Sequence, residues 1–156
     1  MEVEADWLAQ YEHVQRAALA SVKAAAPASA YYLDLDKSPG EYVTTGVDIV
    51  PRGHGLFPIH LVADDAGLTL YVADYPAIED TTWQNARDFT ELAVKIITAI
   101  MRGEGKVVNL KLGKHVVARK VFVRLGDEDV LIGQSFIAPS FLPFLRWEEQ
   151  QLTPWK

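Results

Sequence analysis

Four histidines, twenty-one acids and no cysteine bound the chemistry open to this 156-residue chain. Lacking cysteine, it has no disulfide, no thiolate metal site and no cysteine nucleophile. His60 and Asp64 fall on one face if their stretch is a strand. Four strand residues span about 13 Å, too far for both to hold one ion. His54, in the Arg52-Gly53-His54-Gly55 stretch, sits where a loop could bring it toward His60, but no third ligand is in view. Zinc sites need three or four protein ligands, so no metal is expected. The run Asp34-Leu35-Asp36-Lys37-Ser38-Pro39-Gly40 places side-chain oxygens at alternate positions, as a calcium loop does. Its glycine comes one place late and its twelfth position is Thr45 rather than glutamate, so a strand end and a Pro-Gly turn account for it better. No serine lies in Gly-x-Ser-x-Gly, and Gly103-Glu104-Gly105-Lys106 lacks the spacing of a phosphate loop. No catalytic residue is assigned and no cofactor is expected. Catalytic groups often converge from distant segments, so these absences lower the enzyme reading without removing it.

Charge carries more information. The net charge is −6, yet residues 102–124 hold seven Lys or Arg against one acid, while residues 1–101 hold six against fifteen. Such asymmetry argues against non-specific duplex binding by the whole domain and singles out one basic hairpin. A two-residue turn at Gly113-Lys114 would pair Leu110 with Val117. On that register Lys111, Lys120 and Arg124 share a face with Phe122 and Val107 between them. Lys111, Lys120, Phe122 and Arg124 are therefore the expected partner-binding residues, unless acids of the chain or of a neighbouring subunit neutralise them. A second candidate is a pocket between sheet and helices with Arg52, His54 and His60 at its mouth.

These residues need elements to position them. The stretch from Thr81 to Gly103 is the element the rest is organised around. Trp83, Ala86, Phe89, Ala93, Ile96, Ile97 and Ile100 recur at helical spacing, Thr81 and Gln84 read as a capping box, and Gly103 supplies the exit. Residues 3–26 form a second, alanine-rich helix with Trp7, Tyr11, Val14, Ala18, Val22 and Ala25 on one side and Leu8 and Leu19 widening it, stopped by Pro27. Between the helices, alternation marks strands at residues 31–36, 41–50, 57–64 and 68–74, with Tyr75-Pro76 ending the run. Beyond them come strands at 106–112, 116–125 and 130–136. From Pro139 the tail carries Phe141, Leu142, Phe144, Leu145, Trp147, Leu152 and Trp155 among three prolines, too apolar to hang in water. It is expected to be irregular and to pack along the domain edge or to make a homodimer.

The expected fold is thus one α+β domain over residues 1–156, with a mainly antiparallel sheet of six to seven strands and two long helices on one face. That order of elements resembles small acidic secretion chaperones and toxin-neutralising immunity proteins, a likeness of architecture. Small size, strong acidity outside one hairpin, aromatics near the C-terminus and no reactive constellation lead to the expectation of a non-catalytic protein that binds another protein, of a bacterial immunity or secretion-chaperone type whose partner is a toxin or a secretion substrate. The N-terminal thirty residues carry scattered acids instead of a basic, then apolar, leader, and no apolar run reaches membrane-spanning length, so a cytoplasmic protein without membrane contact is expected. The alternatives are a small-molecule-binding domain or hydrolase using the pocket, and a nucleic-acid-binding accessory using the hairpin cations.

Overall fold

Runs of alternating residues build the first sheet from neighbours in the chain. In the computed structural model, which describes residues 2–35, 45–136 and 145–156, helix α1 (Glu2–Ala25) and a 3-10 turn (Ala28–Ala30) lead into five strands. These are β1 (Tyr31–Leu35), β2 (Thr45–Pro51), β3 (Ile59–Ala63), β4 (Leu68–Val72) and β5 (Tyr75–Asp80). Each pairs antiparallel with the next, giving the order β1-β2-β3-β4-β5. Val47, Ile49, Ile59, Leu61, Leu68, Leu70 and Val72 are buried on one face, while Asp48, His60, Thr69 and Tyr71 alternate with them on the other. Helix α2 (Ala86–Met101) follows, and then β6 (Gly105–Leu112), β7 (His115–Leu125), β8 (Glu128–Phe136) and β9 (Leu145–Gln151). They form a second antiparallel sheet in the order β8-β7-β6-β9.

The α+β class with antiparallel sheets is as expected, but the single sheet of six to seven strands is corrected to two sheets of five and four strands. Two strands escaped the sequence reading. β5 contains Pro76, which lacks a ladder donor and is tolerated because β5 is the edge of its sheet. β9 comes from the tail expected to be irregular; it runs along β6, pairing Leu110 with Trp147 and Lys106 with Gln151. The expected turn at 37–40, the start of the strand at 41–50, the middle of the acidic run from Asp36, and Phe141, Leu142 and Phe144 lie outside the described residues.

One core joins all the layers. It contains Trp7, Tyr11, Val14, Ala18 and Val22 of α1, the inner face of the five-stranded sheet, and Phe89, Ala93, Ile96, Ile97 and Ile100 of α2. Val107, Val121, Val123 and Ile132 of the second sheet complete it, with Leu152 and Trp155. Met101, with no exposure, and Ala99 are buried too, so the last turn of α2 is covered nearly all round. Each fully buried aliphatic side chain contributes about 1.5–3 kcal/mol relative to exposure. Leu152 and Trp155 are taken up by the chain's own core, where Trp155 N–H donates to the Met101 carbonyl at 2.8 Å. The sheets meet where Tyr75 lies on Gly133; a Cβ there would come within 2.5 Å of the Tyr75 side chain.

α2 does not begin as its local signals suggest. Thr81 and Gln84 lie before the helix and form no capping box; the N-cap, Asn85, makes no side-chain cap bond. Trp83 has φ 61, a left-handed conformation that stops the helix from reaching back. Tertiary contacts hold it there: its indole N–H donates to the Asp64 carbonyl at 2.8 Å, and its ring lies 5.6 Å from that of Trp7. Buried Asp80 ties down the segment that leads into the helix, accepting from the Thr82 and Asn85 N–H groups at 3.2 and 3.1 Å. A carboxylate at this end also opposes the helix dipole. The exit is as expected: Gly103 has φ +71, and a Cβ there would lie 2.7 Å from Pro154.

Gly103→Ala should therefore lower the free energy of unfolding by about 2 kcal/mol, from strain in the left-handed region and the clash with Pro154. Asp80→Ala should cost about 2 kcal/mol, and Asp80→Asn less, because it keeps one acceptor oxygen. Urea denaturation followed by circular dichroism measures both.

Candidate binding site

The basic hairpin turns where expected, with Leu112 opposite His115. One step further the register slips: Leu110 pairs with Ala118 and Lys111 with Val116, leaving Val117 as an extra residue in a bulge. This single insertion re-sorts the faces. Lys106 and Val108 of β6 stand opposite Phe122 and Lys120 of β7, on the outward side. Lys120, Phe122 and Arg124 do share that side, as expected. Lys111 does not; it lies on the core-facing side with Val107, and its ammonium reaches Glu148 at 2.6 Å.

The outward cations are partly neutralised. Asp129 receives Arg124 at 3.1 Å and Lys106 at 3.6 Å, and Lys106 also reaches Glu149 at 3.3 Å. The Lys106 ammonium lies 5.6 Å from the Phe122 ring centre, and that of Lys120 lies 5.3 Å from the Trp147 ring centre. Among the described residues Lys120 has no carboxylate partner. The face is thus nearly balanced in charge, with a half-exposed tryptophan and one unneutralised cation above it. The hydrogen bond from Arg124, aided by the charges of Arg124 and Lys106 against some desolvation, holds Asp129 below its ordinary 3.8. The hydrogen bond from Lys111, with the charges of Lys111 and Arg146 acting against desolvation, likewise holds Glu148 below 4.5.

The residues expected around a pocket do not converge. His60 stands opposite Asp48, with Nδ1 2.7 Å from Asp48 Oδ1, on the outward side of the five-stranded sheet. The Arg52 guanidinium lies 5.4 Å from the Tyr32 ring centre, and His54 is exposed in its turn. The loop they belong to nevertheless borders a cleft of about 330 Å³, through Gly55, Leu56 and Phe57. Its other walls are the end of α2, the core side of β6 and β7, and the chain from Gln150 to Trp155. Two polar residues on that floor were missed from sequence. Asn109 and Arg119 are a cross-strand pair, and Arg119 Nε donates to Asn109 Oδ1 at 2.9 Å. Their signal was a polar pair in step with Val107 and Val121, obscured because the bulge at Val117 was not foreseen.

Among the described residues no three His, Asp or Glu side chains gather as a metal site, and no helix is long and apolar enough to cross a membrane. Both depressed carboxyls bind fewer protons in the folded chain than in the unfolded one. Their contribution is therefore complete above about pH 4.5 and drains away as pH falls through the lower folded values. Lys111→Met should flatten the acid limb of a plot of stability against pH by lowering stability slightly at pH 7 and leaving it unchanged near pH 2, the loss being small because the pair is largely exposed. Denaturant midpoints between pH 2 and 7 read this. Comparison of the chain with protein-family models, curated proteins and solved structures finds no match.

Proposed function

We propose that this chain is a non-catalytic protein-binding protein of the bacterial cytoplasm, which docks another protein on the outward side of the four-stranded sheet. The observation that carries the reading is Trp147, 50% exposed under the Lys120 ammonium on the outward face, where it stands cross-strand from Leu110, itself buried in a small cluster with Val117, Ala118 and Leu145. Leu131, 43% exposed, stands opposite the partly exposed Phe122 on the same side, and Lys106 and Arg124 lie near it. Large aromatic side chains ringed by charge are the common anchors of protein interfaces, and this mixture of ring, aliphatic and cation is their usual composition. With Asp129 and Glu149 interleaved among the cations, the face suits a protein epitope bearing an apolar side chain and a carboxylate better than a polyanion. Neutralising a toxin or escorting a secretion substrate is the form of binding we favour, on the element order the sequence reading compared with such proteins.

The test is capture from the native host. Immobilised chain should retain a specific protein, encoded beside it if the toxin or substrate reading is right. Trp147→Ala should weaken that complex by about tenfold or more, the size expected for an aromatic anchor, and Lys120→Glu should slow its association. Recovery of a small metabolite and no protein, or a complex indifferent to Trp147→Ala, would remove this assignment.

A further inference from the structure

The cleft on the opposite side of the same sheet has a chemistry of its own. Its lining is mixed, and the apolar part comes from Phe57, Ile100, Val107, Leu152 and Trp155, in four separate parts of the chain. Its polar floor is Arg119. The guanidinium uses Nε on Asn109 Oδ1, and among the described residues no carboxylate lies within ion-pair distance of it. The nearest acid in the ladder is Glu148, cross-strand from Asn109, and it is already engaged by Lys111 at 2.6 Å and Arg146 at 3.1 Å. Arg119 is thus a half-buried cation with its terminal N–H groups unused, oriented by a neighbour whose own amide NH2 also has no partner among the described residues. Neither set of free N–H groups is buried away from solvent, so both are open to an incoming anion that can take the place of water.

We infer that this cleft is a binding site for a small monocarboxylate with an apolar body, its carboxylate on the Arg119 fork and the Asn109 amide, and its hydrocarbon against Phe57, Leu152 and Trp155. Three features select that class. The volume, about 330 Å³, lies at the small end of ligand pockets, which run from about 300 to 1,000 Å³. A guanidinium held at Nε presents the paired N–H geometry that matches a planar carboxylate. Among the described residues Arg119 is the one cation lining the cleft, and Ile100 in its wall belongs to the C-terminal end of α2, the negative end of that helix. A doubly charged phosphate would meet too little positive charge there, whereas a single carboxylate is matched. The other polar side chains of the lining, Gln150, Gln151 and Thr153, are uncharged, and the Gln151 amide already donates to the Gly103 carbonyl at 3.2 Å.

This inference is independent of docking on the Trp147 face, and each can fail alone. The full chain would be titrated with sodium octanoate and sodium phenylbutyrate as probes, alongside octanamide and octyl phosphate. The NMR signals of the Trp155 indole N–H, the Arg119 Nε–H and the Asn109 side chain would report binding. At least one carboxylate should bind saturably in the micromolar to low millimolar range and shift those signals. Octanamide should bind about tenfold or more weakly than octanoate, as expected for losing a charge-assisted hydrogen bond, and octyl phosphate no more tightly than octanoate. Arg119→Met should abolish the preference for octanoate over octanamide, while Lys95→Ala, a cation exposed on α2, should behave as the parent chain does. The comparison of carboxylate with amide on the unaltered chain stands even if Arg119→Met does not fold. Absence of saturable binding by both carboxylates, equal affinity for octanoate and octanamide, or tighter binding of octyl phosphate would each overturn the inference.

Discussion

The molecule depends on covering the C-terminal end of α2. An amphipathic helix normally needs a partner on one side only, but here Ile96, Ile97, Ala99, Ile100 and Met101 are buried together, leaving only a narrow strip at Lys95, Thr98 and Arg102 for water. One layer of structure cannot do this. The five-stranded sheet, α1 and the four-stranded sheet each take a share, and the segment after β9 supplies Leu152 and Trp155 for what remains. The same need explains Gly103 and Gly105. Chain and helix approach so closely there that Pro154 and Leu152 occupy the space a Cβ would need. The two sheets are therefore parts of one cooperative core, joined at that helix and again where Tyr75 lies on Gly133.

On the four-stranded sheet, one extra residue decides what each face offers. Val117 in its bulge sends Lys120, Phe122 and Arg124 outward and leaves Arg119 and Lys111 on the side that faces the core. Outward cations find Asp129 and Glu149; Lys111 finds Glu148. Arg119 alone of the charged residues beside the cleft is held by an amide instead of an acid. The sheet thus has two faces of different character, one broad and mixed in charge, the other forming one wall of an open cleft.

Much of the architecture was legible because its causes are local. Period-two alternation gave four of the first five strands, and the side of α2 carrying Phe89, Ala93, Ile96 and Ile100 is the side that is buried. What could not be read was set by contacts between distant residues. The Thr81–Gln84 box lost to Trp83, whose indole is tied to Asp64 and whose ring meets Trp7. Pro76 suggested an end to the strands, and only the position of β5 at an edge makes it harmless. Trp147 belongs to a strand because β6 offers it a ladder, not because its neighbours in sequence alternate cleanly. The hairpin cations were found but sorted onto the wrong faces in one case, Lys111, because a bulge leaves little trace in sequence. Asn109 and Arg119 were missed for the same reason, and the cleft because no sequence pattern encodes a gap between elements.

The two sheets also differ in how far along the chain their partners lie. Every pairing in the five-stranded sheet joins neighbours, so it can assemble as successive hairpins with little loop-closure entropy. The other sheet is closed by β9, which must return past β8 and β7 to reach β6. During synthesis from the N-terminus, α2 therefore emerges well before the segment that seals its end. For that interval the part of this turn that the second sheet, Leu152 and Trp155 will cover is an apolar surface left open, the window in which the nascent chain is most exposed to misassociation.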